Sequence, residues 1–346
     1  MGFRVIENRV RYYLVIWSVF FLIAIGLGYQ SVTRYDPAQS SFIDDSKIYS
    51  EIVLNGSQGI TSDHRSTRLL VPFLARAVYS LIEGNIGLWN PVQFSLLAVA
   101  SFFCASIVLM MINICKLLFE DERVGIIAGL IFYANFSIPN LYLSGLVDSA
   151  EAFFLLCVIY ALLHKKLILL PIIAILGTLS KETFLPVGSL IITIWWLYEM
   201  YIDKKINYRN LLHIVSFILI SSVIVIALKS YSLDKLTLLL EYSEGMKKES
   251  FSSFDRILVA IRRFSYAYIW LLPLSLFRIK LLPKPWILSA IISSIMILLM
   301  GWWIGASGAA ISRYMFNMVG PLLSISIAIL ILDTNLKANI ITNSKS

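Results

Sequence analysis

Residues 90–118 read NPVQFSLLAVASFFCASIVLMMINICKLL. Between Pro91 and Leu118 the only formal charge is Lys116, near the end. A helix that crosses a membrane needs roughly 20 mainly apolar residues, and this stretch has them. Asn90 followed by Pro91 marks the start, as an N-cap with proline at the first helical position.

Nine further stretches of similar character flank it. They run from Tyr12 to Tyr29, Val124 to Ile138, Leu146 to Leu163, Leu167 to Leu179, Phe184 to Met200, Leu211 to Leu228, Tyr266 to Phe277, Trp286 to Gly305 and Tyr314 to Leu332. Those beginning at Val124, Leu167 and Tyr266 are short enough to be tilted, half-spanning or extended by their neighbours. The chain is 58% hydrophobic and 14% charged, where a soluble protein carries about a quarter charged residues. The expected fold is therefore all-α: a polytopic integral membrane protein of about ten transmembrane helices. Residues 1–333 form one transmembrane domain, and 334–346 a disordered cytoplasmic tail. The first span lacks a small-residue cleavage site and is expected to stay as an anchor. Cys104, Cys115 and Cys157 all fall in apolar spans and read as buried small hydrophobes.

Lys and Arg in short loops set orientation. With the N-terminus inside, the inner segments hold fifteen cations against seven acids, which equals the whole net charge of +8. The three short outer loops carry only Lys181 and Arg313. The basic excess thus faces anionic lipid and calls for no nucleic acid. Two outer loops are long, 30–90 and 229–265. Leu69, Leu70, Phe73, Leu74, Ala77, Val78 and Leu81 recur at helical spacing in the first. Leu233, Leu236, Leu239, Leu240 and then Ile257, Leu258 and Ile261 do so in the second. These patterns predict interfacial helices with the apolar face toward lipid.

Most chemistry-bearing residues collect in the outer segments. Asp44 and Asp45 are adjacent acids, and Asp45 lies four residues before Tyr49, so on a helix those two share a face. Asp45 is the acid expected to point inward. Arg65 and Arg68 follow, with His64 between them and Asp63; an arginine fork suits phosphate and never deprotonates. Asp148 and Glu151 open the fourth span. Asp148 there either favours the helix dipole or positions an acceptor hydroxyl. Lys181 and Glu182 sit in the Ser180–Thr183 turn between apolar segments, where they either pair with each other or Lys181 holds a phosphate. Arg313 and Tyr314 begin the last span after a nearly uncharged stretch. Arg262 and Arg263 close the second long loop. Asp44, Asp45 and Asp148 together would supply oxygen ligands for one divalent cation, though nothing in the spacing demands it. No Walker loop, dinucleotide-binding turn, His-Glu-x-x-His or nucleophile elbow is present.

The ordered set Asp45-x-x-x-Tyr49, Arg68-x-x-x-Pro72, Leu179-Ser-Lys-Glu-Thr183 and Arg313-Tyr314 with Pro321 resembles the GT-C superfamily of polytopic glycosyltransferases. The resemblance is to the prokaryotic group that includes protein mannosyltransferases and lipid A aminoarabinose transferases. It implies a polyprenyl-phosphate sugar donor, an active site on the outer face of the plasma membrane, and Asp45 as the catalytic acid–base group, with Asp44 as its alternative. Tyr49, Arg65, Arg68, Asp148, Lys181, Glu182, Arg313 and Tyr314 would bind substrate, and the acceptor would be a lipid, a glycan or a protein. The thin third and fifth spans depart from that pattern. A lipid or glycolipid flippase or transporter is the alternative: its marks are charges deep in the spans and two related halves, whereas here most charges lie at span ends and no halves are detectable, but a lipid-facing cavity would serve flipping too. A polysaccharide polymerase remains open within the same chemistry.

Overall fold

The computed structural model describes residues 2–34, 44–61, 64–87, 89–233, 255, 257–262, 272–303 and 308–332. Among these the chain is helical, with no strand. The helices are α1 (Gly2–Arg34), α2 (Asp44–Asn55), α3 (Leu70–Ile82), α4 (Pro91–Phe119), α5 (Glu122–Tyr133), α6 (Asp148–Leu163), α7 (Leu170–Ser180), α8 (Phe184–Asp203), α9 (Tyr208–Leu233), α10 (Leu272–Leu276), α11 (Lys284–Trp303) and α12 (Gly308–Ile331).

The Asn90–Pro91 signal is used as read. The Asn90 side chain accepts from the N–H groups of Val92 and Gln93 at 3.0 and 3.1 Å, and Pro91 is the first helical residue. At the far end Glu120 takes a left-handed backbone (φ 59°) and stops the helix. α4 and α12 form the centre, with 78% and 83% of their apolar windows buried. α5 and α6 pack against both of them. The contact between α5 and α12 includes Phe132 stacked on Phe316 at 5.7 Å. The aromatic ring of Tyr142 meets Phe316 edge-on at 5.6 Å. α1 and α9 lie outside, with only 11% and 22% of their windows buried. Their outward faces carry large exposed apolar side chains, among them Leu14, Leu22, Leu212 and Val223. Such contiguous exposure suits lipid rather than water.

Among the described residues, six helices are long and apolar enough to cross a membrane: α4, α8, α11, Arg9–Gln30 within α1, Tyr208–Ser232 within α9 and Ile311–Ile331 within α12. The expected count of about ten is not reached on this criterion. α5 ends at Tyr133 after 12 residues, five short of the expected boundary. There Asn135 accepts from the Ser137 N–H, and Pro139 sits in a π-helical turn over Ile138–Tyr142. A side-chain acceptor and a proline without an N–H both compete with regular helix. α6 has 16 residues and α7 only 11. At 1.5 Å per residue α7 spans roughly 17 Å, about half of a hydrocarbon core. The first half of the eighth stretch, 266–271, lies outside the described residues, as do the 334–346 tail and the Leu236–Leu240 pattern.

The first-loop amphipathic helix forms as α3. Val71, Pro72 and Ala75 are buried against the protein, while Phe73, Leu74 and Leu81 are exposed. In the second loop, residues 257–262 are helical and leave Leu258 and Ile261 exposed.

Without a hydrophobic drive between helices inside lipid, close packing over small residues carries association. Gly125 of α5 is such a point, since a Cβ there would lie 2.3 Å from the Ile112 Cα of α4. Gly125→Ala is expected to cost about 1–3 kcal/mol by overpacking, seen as a lowered unfolding midpoint in detergent. Gly26→Ala, with nothing within 4 Å of its added Cβ, should not lower it.

Candidate functional site

Three helices, the segment before a fourth and one turn meet at one end of the bundle. α2 supplies Asp45 and Tyr49. The segment before α3 supplies Arg65 and Arg68. The first turn of α6 supplies Asp148 and Glu151. The Lys181–Thr183 turn joins α7 to α8, and the early part of α12 carries Arg313, Tyr314 and Asn317.

Asp45 and Tyr49 do share a face, and both reach Arg68. The Arg68 Nη1 donates to the Tyr49 hydroxyl at 2.8 Å and lies 3.5 Å from Asp45 Oδ2. The rest of that guanidinium forms a fork with Glu182: Nε to Oε2 at 2.8 Å and Nη2 to Oε1 at 2.6 Å. Asp45 also accepts from Arg65 Nη1 at 2.9 Å and meets Arg313 Nη2 at 3.4 Å. Deeper in, Lys181 Nζ lies 2.6 Å from Asp148 Oδ1 and 2.8 Å from Glu151 Oε2. Its ammonium stands 4.0 Å above the centre of the Tyr314 ring, a cation–π contact. The Asn317 amide donates to Glu151 Oε2 at 2.6 Å and to Asp148 Oδ1 at 3.3 Å, and the Tyr142 hydroxyl donates to its carbonyl at 2.6 Å. Thr183 donates to the other oxygen of Glu151.

Four carboxyl side chains (Asp45, Asp148, Glu151, Glu182) therefore face four cations (Arg65, Arg68, Lys181, Arg313) in these ion pairs. Exposure grades across the cluster. Lys181, Asp148 and Glu151 expose 0–2% of their side chains, whereas Asp45 exposes 18% and Arg65 25%. The open edge is thus Asp45 with Arg65, and Arg313 at 11% borders it.

Several expectations need correction. Lys181 and Glu182 do not pair with each other; they reach to opposite sides, one to Asp148 and Glu151, the other to Arg68. Asp148 does open the first turn of α6, where its charge suits the helix dipole, and its carboxylate is tied as well to Lys181 and Arg313. Lys181 is fully buried and saturated, so it supports its neighbours and offers no open face to a ligand. The side chains of Asp44 and His64, and all of Asp63 and Arg263, lie outside the described residues, while Arg262 is exposed. Asp45 and Asp148 do approach a common group, but that group is Arg313. Asp45 already meets three cations and Asp148 two. Among the described residues, no group of three or more His, Cys, Asp or Glu side chains is placed to hold a metal. Sequence reasoning missed Asn317, Tyr142 and Thr183. Asn317 was findable: it lies four residues beyond Arg313 on an apolar helix, hence on the same face.

Burial pushes the Asp45 carboxyl up, but the Arg65 hydrogen bond and the charges of Arg68 and Arg313 outweigh it and hold it below its ordinary value. Burial likewise opposes ionisation of Glu182, and the Arg68 charge and hydrogen bonds reverse that, lowering it to about 2. Burial raises the Tyr49 phenol above its usual range, so it stays protonated. No protein-family model matches the chain, nor does any curated protein compared with it.

Glu182→Gln should destabilise the protein by about 3–5 kcal/mol at pH 7, because it leaves the Arg68 guanidinium buried without its counter-charge. A lowered carboxyl contributes fully above its ordinary range and loses that contribution as pH falls through its folded value. The stability gap between wild type and variant should therefore narrow as pH drops from about 4.5 toward 2, read from unfolding midpoints.

Proposed function

We propose that this chain is a membrane glycosyltransferase that moves a sugar from a polyprenyl-phosphate donor to an acceptor hydroxyl, with inversion at the anomeric carbon. The observation that carries the reading is Asp45. It is the most exposed carboxylate of the ion-paired cluster, at the open edge, with the Arg313 guanidinium 3.4 Å away. A base and a cation side by side at the mouth of a polar cluster, on a bundle otherwise clad in apolar side chains, suit a substrate whose one end is lipid and whose other end is sugar.

The chemistry follows from the placement. The acceptor oxygen attacks the anomeric carbon and forms the new glycosidic bond. The bond from that carbon to the phosphate oxygen breaks, and its electron pair leaves with the polyprenyl phosphate. The acceptor proton passes to Asp45 as general base, a role commonly worth about 10²–10⁴-fold. Charge gathering on the departing phosphate is stabilised by Arg313, Arg65 and Arg68, fixed in place before reaction. Lys181, Glu182, Asp148 and Tyr314 hold those groups in position, with Tyr49 orienting Arg68. Asp44 is the alternative base. No step is routed through a metal or another cofactor.

In this reading the short helices α5, α6 and α7 and the Tyr266–Phe277 stretch complete ten crossings together with the six long ones. The N-terminus and the 334–346 tail face the cytoplasm of a plasma membrane, and the ion-paired cluster faces outward. The distribution of Lys and Arg supports this orientation. So does the opposite end of the bundle, where Lys116 and Tyr13 both bond Glu122, placing the start of α1 beside the end of α4. The acceptor class (lipid, glycan or protein) is left to experiment.

The full chain, purified in detergent and incubated with radiolabelled polyprenyl-phosphate sugars and an envelope extract as acceptor, should give a labelled product. Asp45→Asn should lower that rate by about 10²-fold or more while unfolding at a midpoint that shows a folded protein. Near-normal transfer by the folded variant removes the reading.

A further inference from the structure

Asp45 fits its surroundings poorly. Three guanidiniums converge on a carboxylate that has two oxygens. Only Arg65 is at a good hydrogen-bond distance, 2.9 Å; Arg68 and Arg313 stand off at 3.5 and 3.4 Å. Charge-assisted N–H···O bonds usually close to about 2.7–2.9 Å, as Arg68 and Glu182 do at 2.6 and 2.8 Å. The Arg313 Nε–H is buried with no hydrogen-bond acceptor: Asp148 Oδ1 lies 3.2 Å away as an ion pair but is not aligned with it. A buried charged donor left unmatched calls for an explanation. The three-fold arrangement matches a group with three terminal oxygens better than one with two.

We infer that Arg65, Arg68 and Arg313 form a seat for a phosphate monoester and that the Asp45 carboxylate is its internal competitor. An entering phosphoryl group takes over the guanidinium contacts, supplies an acceptor for Arg313, and frees Asp45 to turn toward the acceptor hydroxyl. The donor phosphate is a diester that brings two terminal oxygens to the seat and displaces Asp45; it gains its third only as the bond to the sugar breaks, so the seat fits the departing polyprenyl phosphate best. Released from those cations, Asp45 also becomes a stronger base. The inference rests on the lipid-phosphate reading for its biological ligand, but its test needs no turnover.

The experiment is calorimetric titration of the full chain, in a maltoside detergent without phosphate, using geranyl phosphate and inorganic phosphate as separate probes. Removing the competing charge in Asp45→Asn should tighten binding of both probes by about tenfold or more, in line with couplings measured between close charge pairs. Arg313→Gln placed on the Asp45→Asn background should abolish that gain. Equal or weaker binding by Asp45→Asn overturns the inference, since Asp45 would then be indifferent to the ligand or help to hold it. If the variant is poorly stable, the same question is read from melting. Phosphate should raise the unfolding midpoint of Asp45→Asn more than that of wild type, and an equal or smaller shift overturns the inference. Tighter binding of geranyl phosphate than of inorganic phosphate assigns the seat to a lipid monoester. Equal affinity for the two probes keeps the competition and assigns the seat to a soluble phosphate, which removes the lipid-donor reading alone.

Discussion

Charges inside a protein must be matched, because each one withdrawn from water costs several kcal/mol unless a partner and hydrogen bonds replace the solvent. Lys181 has no exposed side-chain surface, and Asp148 and Glu151 have almost none. One ammonium between two carboxylates would leave a buried negative excess. Arg313 on Asp148, and the Asn317 and Thr183 donors, make up the difference. Every element at this end of the bundle is placed by that requirement. α6 must present its first turn, α12 its sixth to tenth residues, and the α7–α8 turn two successive charges in opposite directions.

The same requirement divides labour within the cluster. The buried half, centred on Lys181, is saturated with partners. The half nearer solvent, centred on Asp45 and Arg313, is held by longer contacts of 3.4–3.5 Å and is the half able to exchange partners. Arg68 links the two. Its fork to Glu182 is tight, and the nitrogen that is left over divides between Tyr49 and Asp45. A site that must admit an anion without collapsing needs both properties side by side.

The long apolar helices were legible because hydropathy is local: α4 begins where Asn90 and Pro91 say it does. The short ones were not. In Val124–Ile138 the apolar run continues past the helix end, and only the Asn135 and Pro139 chemistry, which composition cannot weigh, ends α5 at Tyr133. For the site, single charges in apolar surroundings were visible as anomalies, so Asp45, Arg68, Lys181 and Arg313 could be picked out. Their partners could not. Lys181 and Glu182 are adjacent and of opposite sign, yet which partners they choose depends on residues 33 and 114 positions away. Neutral members such as Tyr142 carry no sequence signal, since a tyrosine in an apolar segment is ordinary packing.

Arg313 and Asn317 come from the last helix of the bundle. Asp148 and Lys181 lie close in the chain and can meet as soon as α6 and α7 have left the ribosome. Glu151 and Asp148 must then wait for more than a hundred further residues before their remaining donors exist. Until α12 is in place, one ammonium faces two carboxylates. Docking of α12 is therefore the step that completes the charge balance of α6 and the α7–α8 turn.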